Sequence, residues 1–564
     1  MTATFCGCHS TASVQSPSAP SSDSALRLAV DVRRFPWIRR LAADYAFDFP
    51  ALAPFFSGDP ADPAAWTRTI AEVRAHERPR AEIAAAIEAQ QRRHGAPEAA
   101  IANARRLADA GTVAILTGQQ AGLFGGPLYT LLKAITAIRL AARVSRDQGA
   151  TVVPVFWIDA EDHDWDEIAS CGLLDADDHL QRVTVAAPEG AGDRRVAELR
   201  YSDDVTRALA DVQRVLPPTE FTGPLLESLA ADFAPGRGVS DAFARWMSRT
   251  LGAHGLVVYD ASDPATKPFA APLFRAEIEH PGRTSQLAGK TGAALVERGY
   301  HAQVTPTEDS VALFDLTAGR RPIRAAAGGF VIAEDTVPHA TLVARAANEP
   351  ALFSPNVLLR PLVQDTIFPT VCYVAGPSEL AYLGQLREVY ASVGLPMPLF
   401  QPRATATILD ASGVRFLTRY KVPLETLEAQ DERALNDLLR SQLPPAVERA
   451  VQDADLEIAA RLDEVIRAVP AIDPTLEGAA RSTLGKIQHD MRALRGKILQ
   501  AAKRRDETLR RQFMHVRAQA FPGGAPQERT VGFVHFLNRY GPALVDRLTA
   551  ELPIDGGMHW VVTV

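Results

Sequence analysis

Val113-Ala114-Ile115-Leu116-Thr117-Gly118-Gln119-Gln120, then a helical stretch from about Leu128 to Val144, then Val152-Val153-Pro154-Val155-Phe156-Trp157-Ile158, is the part of this chain that decides its fold. The first and last runs are short, apolar and bounded by turn residues, as buried strands are. Between them Leu128, Leu131, Leu132, Ile135, Ile138 and Leu140 recur at three- and four-residue steps, the period of one helix face. Strand, helix and strand in succession make a βαβ unit. The fold class is therefore α/β, with a parallel sheet covered on both faces.

Working outward, Leu256-Val257-Val258-Tyr259-Asp260 reads as a third strand of the same kind. Thr370-Val371-Cys372-Tyr373-Val374 reads as another, followed by Ala375-Gly376-Pro377-Ser378-Glu379 and a helix through Tyr382 and Leu386. Upstream, residues 35–110 read as a helical segment packed on the core, broken by Pro and Gly between Ala51 and Pro63. The stretches 173–250 and 290–345 read as insertions into the 111–407 core, with small antiparallel strands around Val183, Val185 and Val196 and hairpins between His301 and Ala344.

After about Thr407 the strands stop, and residues 408–520 read as a long antiparallel helical hairpin. Val451, Ala454, Ile458, Leu462 and Val465 on one side, and Leu484, Ile487, Met491, Leu494 and Ile498 on the other, keep the alternating spacing of a coiled-coil seam. Pro470 and Pro474 sit at its tip, and a second helix running to about Arg517 would be roughly 60 Å long. From Pro444 to Val469 there are six acidic and three basic residues; from Lys486 to Arg517 there are ten basic and three acidic. Opposite signs favour pairing of the two helices. The basic run lacks aromatic residues before Phe513, so it has no platform on which single-stranded RNA would stack. Residues 521–564 return to the core.

Length, charge and cysteine count narrow the class. The chain has 564 residues, too many for one ordinary core, and a formal net charge of -7 that offers nucleic acid no general attraction. Four cysteines cannot frame a chain of this size with disulfides, which fits a reducing compartment. No apolar run reaches the ~18 to 20 residues of a membrane span. Residues 1–34 have neither a basic start nor an apolar segment, so they read as a disordered leader and not a signal peptide. The expected location is cytoplasmic.

Three segments carry candidate chemistry. Thr117 to Tyr129 places Gly118, Gly122, Gly125 and Gly126 between a strand end and a helix start, where free N–H groups suit phosphate or carboxylate. The adjacent Gln119 and Gln120 exceed what a structural turn requires. Asp159 to Glu167 packs six acidic groups around His163. Such a cluster could hold a divalent metal, orient an amine, or transfer protons through His163 with Asp162 and Asp164; part of it could equally cap a helix. No second histidine lies at a ligand spacing, so no metal ligand is assigned. In the third segment Asn356, Arg360, Gln364 and Asp365 precede Glu379 and Tyr382; Arg360 suits a carboxylate or phosphate, or a plain ion pair. Gly289-Lys290-Thr291 lacks the earlier glycine of a phosphate loop, since Thr284 stands there. Cys6, Cys8 and His9 lie in the leader, and Cys171 and Cys372 read as buried fillers.

At these segments the chain resembles the cysteine ligase family of bacillithiol biosynthesis (BshC). The family's Thr-Gly-Gln-Gln-Pro-Gly-Leu-Phe-x-Gly-Pro-Leu-Tyr is matched by Thr117 to Tyr129, and its Val-Pro-Val-Phe-Trp-x-x-x-Glu-Asp-His-Asp by Val153 to Asp164. Its Ser-Pro-Asn-Val-x-x-Arg-Pro-x-x-Gln-Asp is matched by Ser354 to Asp365, and its Gly-Pro-x-Glu by Gly376 to Glu379; Pro526-Gln527-Glu528-Arg529 is also similar. Ala121 stands where the family has Pro, and Ser378 where it has Gly.

The resemblance implies a Rossmann-like core related to nucleotidyltransferases, with inserted α+β segments and a coiled-coil arm that forms a homodimer. It implies addition of L-cysteine to glucosaminyl-malate by amide formation, the last step of bacillithiol biosynthesis. No cofactor is firmly implied, though amide formation leaves room for ATP or another acyl-activating nucleotide. In that scheme Gln119 and Gln120 orient substrate, His163 with Asp162 and Asp164 handles the amine, and Arg360 anchors a carboxylate. Two other classes stay open at this stage: a non-catalytic nucleotide- or metabolite-binding scaffold, and a metal-dependent hydrolase built on the acidic cluster.

Overall fold

The computed structural model describes residues 27–307, 309–442, 445–505 and 507–563. The core is a five-stranded, wholly parallel sheet of β1 (Val113–Gln119), β2 (Val152–Ile158), β3 (Val257–Asp260), β4 (Thr370–Ala375) and β5 (Leu399–Pro402). Their spatial order is β5-β4-β1-β2-β3, so the chain builds outward from β1 in one direction and then in the other. That is the doubly wound Rossmann order, and its topological switch point lies between β1 and β4.

Strand alternation divides the core in two. Val113 and Ile115 of β1 face one apolar cluster together with α1 (Leu128–Gln148), while Ala114 and Leu116 face a second cluster on the opposite side. Both faces are thus covered, which is why the strands are apolar throughout instead of alternating with polar residues. The outer edge of β3 is blunted by two buried side chains. Gln91 exchanges hydrogen bonds with Val258 N and O at 3.0 and 2.7 Å, and Gln90 does so with Asp260, so amide side chains stand in for a missing strand.

Between β2 and β3 a short hairpin (Ser170–Leu174 with Leu180–Thr184) is followed by helices; Val196, expected in a strand, lies in a single tight helical turn. Between β3 and β4 the hairpin region forms a five-stranded antiparallel sheet from Ser310 to Pro355. Residues 1–26 of the expected leader, with Cys6, Cys8 and His9, lie outside the described residues. Arg27–Asp31 is not leader: it pairs antiparallel with the final strand, Met558–Thr563, which also pairs with Thr405–Leu409. No helix among the described residues is long and apolar enough to cross a membrane.

Beyond the core, α2 (Arg360–Ile367) and α3 (Pro377–Leu383) flank β4, and the arm is built by α4 (Pro445–Ala468) and α5 (Leu476–Arg505), with α6 (Glu507–Ala520) leading back. At thirty residues α5 is about 45 Å long. The roughly 60 Å expected of one helix to Arg517 is therefore shared between α5 and α6. Arg495 of α5 pairs with Glu448 of α4 across the hairpin. The seam departs from the expected spacing at its ends: Ile466 is buried where Val465 was expected, and Val465 and Leu494 stay 45% and 47% exposed.

At the arm's base α6 buries Leu509, Phe513 and Val516 in a separate apolar cluster with Leu409, Val414 and Leu438. Beside it His515 Nδ1 meets Asp178 of the hairpin insertion, and Nε2 lies 2.8 Å from Asp410 Oδ2. Asp410 also accepts from Gln519 and Arg539, both at 3.0 Å. With a carboxylate at each ring nitrogen the imidazole is a double donor, and these hydrogen bonds raise its pKa to about 9. A raised folded-state pKa means the histidine stabilises the fold fully below its unfolded value near 6.5, and that contribution disappears as pH climbs through 9. The difference in Tm between the wild type and His515→Gln should be largest near pH 6 and vanish by about pH 10. A difference that stays constant over that range would show that the ring packs there uncharged.

Candidate functional site

The site begins where two strands part. β1 and β4 pair only as far as Leu116 and Tyr373; beyond that β4 continues beside β5, and β1 continues beside β2 to Gln119. Thr117 Oγ1 donates to Val374 O at 3.0 Å, replacing the backbone bond lost as the gap opens. Gly118 follows at the parting, where a Cβ would stand 2.8 Å from Trp157 O. The gap widens into a cleft of about 640 Å³ at the carboxyl ends of the strands. Ligands of open α/β sheets bind at this position.

Lys133, one turn after Tyr129 on α1, reaches into the gap from below. Its Nζ donates to Gly118 O at 2.8 Å and Gln119 Oε1 at 3.2 Å, and lies 2.5 Å from Glu379 Oε2. Glu379 also accepts from Gly376 N at 2.6 Å and from the Tyr373 hydroxyl at 2.8 Å. Burial pulls the Lys133 pKa down, resisted by the Glu379 charge. Burial alone would raise that of Glu379, but Lys133 and the two other donors hold it below its ordinary value. The two groups form a buried pair bridging β1 and α3.

The opposing wall is acidic, lined by Asp159, Asp162 and Glu167, and the acids of this segment are met by different partners. Asp162 Oδ2 accepts from Gln120 at 2.6 Å, and Oδ1 accepts from His163 N at 2.7 Å. Burial would raise its pKa, but these bonds and the nearby Arg320 outweigh it and hold the carboxyl below its usual range. Asp159 has a raised pKa, from burial first and from Asp162 and Glu161 next, against the pull of Arg360 3.9 Å away. Glu161 is buried outside the cleft against Lys267, with Arg195 at 3.6 Å. Asp164 caps the short helix Trp165–Ile168 by accepting from Glu167 N. Among the described residues, the one group of three ligand-type side chains with donor atoms close together is Asp175, Asp177 and His179, on a separate hairpin turn. The acidic segment is dispersed among cations and does not converge as a metal site.

Gly118, Gln119, Gln120, Asp162, Asn356, Arg360, Glu379 and Tyr382 all line the cleft. Arg360 opens α2 and donates to the Tyr382 hydroxyl at 2.7 Å; Asn356 accepts from Leu358 and Leu359 N and so fixes that helix start. His163 stands behind the wall, with Nδ1 3.1 Å from Arg320 Nη1; arginine can only donate, so this nitrogen accepts. Gln364 and Asp365 lie buried beneath the cleft, where Asp365 accepts from Gln364 and from Tyr390, and burial raises its pKa to about 6.

Gly122, Gly125 and Gly126 do not line the cleft. Gly125 has φ +95°, and a Cβ there would meet the Phe533 ring at 2.3 Å. Leu128 N, at the helix start, donates to Val531 O, and Gly126 O accepts from Phe533 N. The expected phosphate cradle is thus a docking surface for the returning C-terminal segment.

Sequence reasoning missed Lys133, Tyr373, Arg320, Arg403 and Arg529, all of which line the cleft. Lys133 had a signal: it is a lone charge on the apolar stretch of α1, one turn after the motif tyrosine. Arg403 forms a buried bidentate pair with Glu528 at 2.5 and 3.0 Å, and the Arg529 side chain makes no hydrogen bond or ion pair among the described residues.

Comparison with known proteins agrees with this fold. Residues 28–404 match the family described as bacillithiol biosynthesis BshC, N-terminal Rossmann-like domain, and residues 406–564 match its C-terminal coiled-coil domain. The chain is similar to proteins named "Putative cysteine ligase BshC". It is 34% identical to that of Salinibacter ruber over 93% of this chain and 96% of the relative. It is 32% identical to that of Koribacter versatilis (92% and 96%) and 32% identical to that of Geobacillus kaustophilus (94% and 100%).

The buried pair makes a prediction independent of chemistry. Lys133→Met leaves Glu379 charged and unpaired, and should cost about 3–5 kcal/mol in urea denaturation, while Lys133→Met/Glu379→Gln should regain most of it. A single-variant loss under about 1 kcal/mol would mean that the pair does not bridge the gap.

Proposed function

The chain belongs to the BshC family of bacillithiol biosynthesis, and from that premise we propose that it joins the carboxyl group of L-cysteine to the amine of glucosaminyl-malate. The observation that carries this reading is one cleft at the switch point with an acidic wall facing cationic side chains. Asp159 and Asp162 suit an ammonium group, and Arg360 and Arg529 suit the carboxylates of a malyl group. The amine nitrogen attacks the acyl carbon of activated cysteine, the C–N bond forms, the activating group departs with the C–O electron pair, and the amine proton passes to the acidic wall. Asp159, with its raised pKa, is the better acceptor; Asp162, held ionised, orients the ammonium form beforehand.

A free carboxylate lacks a leaving group, and an acyl-activating nucleotide would supply one. Arg529 and Arg320 are the cations that would meet its phosphates. The glycine-rich turn would not, because Gly122, Gly125 and Gly126 N donate to carbonyls within the turn and Leu128 N donates to Val531 O. We further place the protein in the cytoplasm as a homodimer joined through the arm. Leu456, Val465, Leu476 and Leu494 are 39–64% exposed on the hairpin, an apolar set that a second copy would cover.

Four measurements test this. Purified protein given glucosaminyl-malate, L-cysteine and a nucleoside triphosphate should form the thiol product by mass spectrometry. Asp159→Asn and Arg360→Ala should each lower kcat/KM about 100-fold or more; unchanged values in both would reject these roles. Deleting the gene should abolish bacillithiol and accumulate glucosaminyl-malate, whereas an unchanged thiol pool would reject the reaction. Light scattering should give about twice the chain mass of 60.9 kDa, and a monomer mass at every concentration would reject the dimer.

A further inference from the structure

The polarity of one hydrogen-bond chain is fixed by its ends. Lys133 is buried, and its ammonium can only donate. Gln119 therefore turns its amide oxygen toward Lys133 Nζ, 3.2 Å away, and its NH₂ group the other way. That NH₂ group donates to the Tyr129 hydroxyl oxygen at 3.1 Å. With an acceptor lone pair committed to Gln119, the Tyr129 proton points elsewhere, and no other hydrogen bond to the Tyr129 hydroxyl is formed among the described residues. Tyr129 is only partly buried and lines the cleft. The guanidinium groups of Arg403, itself paired with Glu528, and of Arg529 lie 5.5 and 6.0 Å from its ring, and draw negative charge to this side of the cleft against the carboxylate of Glu167, which also lines it.

We propose that Tyr129 is a substrate-contacting hydrogen-bond donor to a carboxylate or acyl oxygen, and that Lys133 and Gln119 are positioning residues that keep its proton turned into the cleft. The Lys133–Glu379 pair would thus serve the site as well as the fold. Identifying the oxygen as one of the malyl group rests on the ligase reading; the direction of the donor does not. Tyr382 is set in the same way, since it accepts from Arg360, so two phenolic protons are available to a ligand in this cleft.

The test is a double-mutant cycle read by calorimetry on the full-length protein, with glucosaminyl-malate and L-malate as probes. Tyr129→Phe should weaken binding about 10-fold, the size expected when a hydrogen bond to a charged acceptor is lost. Gln119→Glu places a second acceptor beside Tyr129 and should turn its proton inward. Its effect should therefore shrink markedly in the Tyr129→Phe background, whereas simple charge repulsion would persist in both backgrounds. Full additivity, or wild-type affinity in Tyr129→Phe, would overturn the proposal and leave the ligase reading standing. Wild-type binding of L-malate but not glucosaminyl-malate, with the cycle non-additive, would support the proposal and overturn the ligase reading. Failure of the wild type to bind either probe would overturn both.

Discussion

A lysine placed where two strands separate is the contact on which the site depends. A parallel sheet that reverses direction must leave β1 and β4 without a common ladder at their carboxyl ends, and there the backbone groups lose their partners. Thr117 replaces one lost bond with a hydroxyl, and Lys133 takes Gly118 O while binding Glu379 on the far side. The parting is thus stabilised by a charge that water does not reach. In a low-dielectric gap such a pair is favourable only when its remaining valences are met, and here Gln119, Gly376 N and Tyr373 meet them. The same groups line the cleft, so the stability of the gap and the orientation of the site are one network.

The βαβ unit was legible because its signal is local: apolar runs bounded by turns, and one helix period between them. The cleft-lining positions of Gln119, Asp162 and Glu379 were legible for a related reason, since each stands at or just after the carboxyl end of a parallel strand, where α/β sheets bind ligands, whereas Arg360 stood out by its side-chain chemistry. Lys133 and Arg403 were not, because nothing local says that a charge inside an apolar helix or after an edge strand will face the same gap. The glycine-rich turn misled in the opposite direction. Four glycines before a helix are compatible with a ligand or with close packing, and only the arrival of Phe533, more than 400 residues later, decides between them.

That arrival also explains why the C-terminal segment cannot be an appendage. Gln527 bonds both backbone groups of Ile408, Glu528 neutralises Arg403, and Arg529 reaches the cleft, so three consecutive residues fasten the end of the chain to the site. The arm leaves the core at Asp410 and returns through α6, and His515 ties those two points to the hairpin insertion. Any movement of the arm's base must therefore pass through charged contacts one or two elements away from Arg403 and Arg529.

The acidic segment shows how a cluster in sequence can cease to be one in space. Six carboxyl groups within nine residues suggest a shared cation because their mutual repulsion has to be offset. The fold offsets it piecemeal: Lys267 and Arg195 for Glu161, Arg320 and Gln120 for Asp162, Arg360 for Asp159, and a helix start for Asp164. A divalent ion needs several oxygens converging on one point, and this distribution sends them to different points. What this segment leaves in the cleft is three carboxylates with unlike pKa directions, Asp162 lowered and Asp159 and Glu167 raised. Groups pushed apart in this way can divide labour, one staying charged to hold an ammonium and the other taking its proton, whereas two equivalent acids could not.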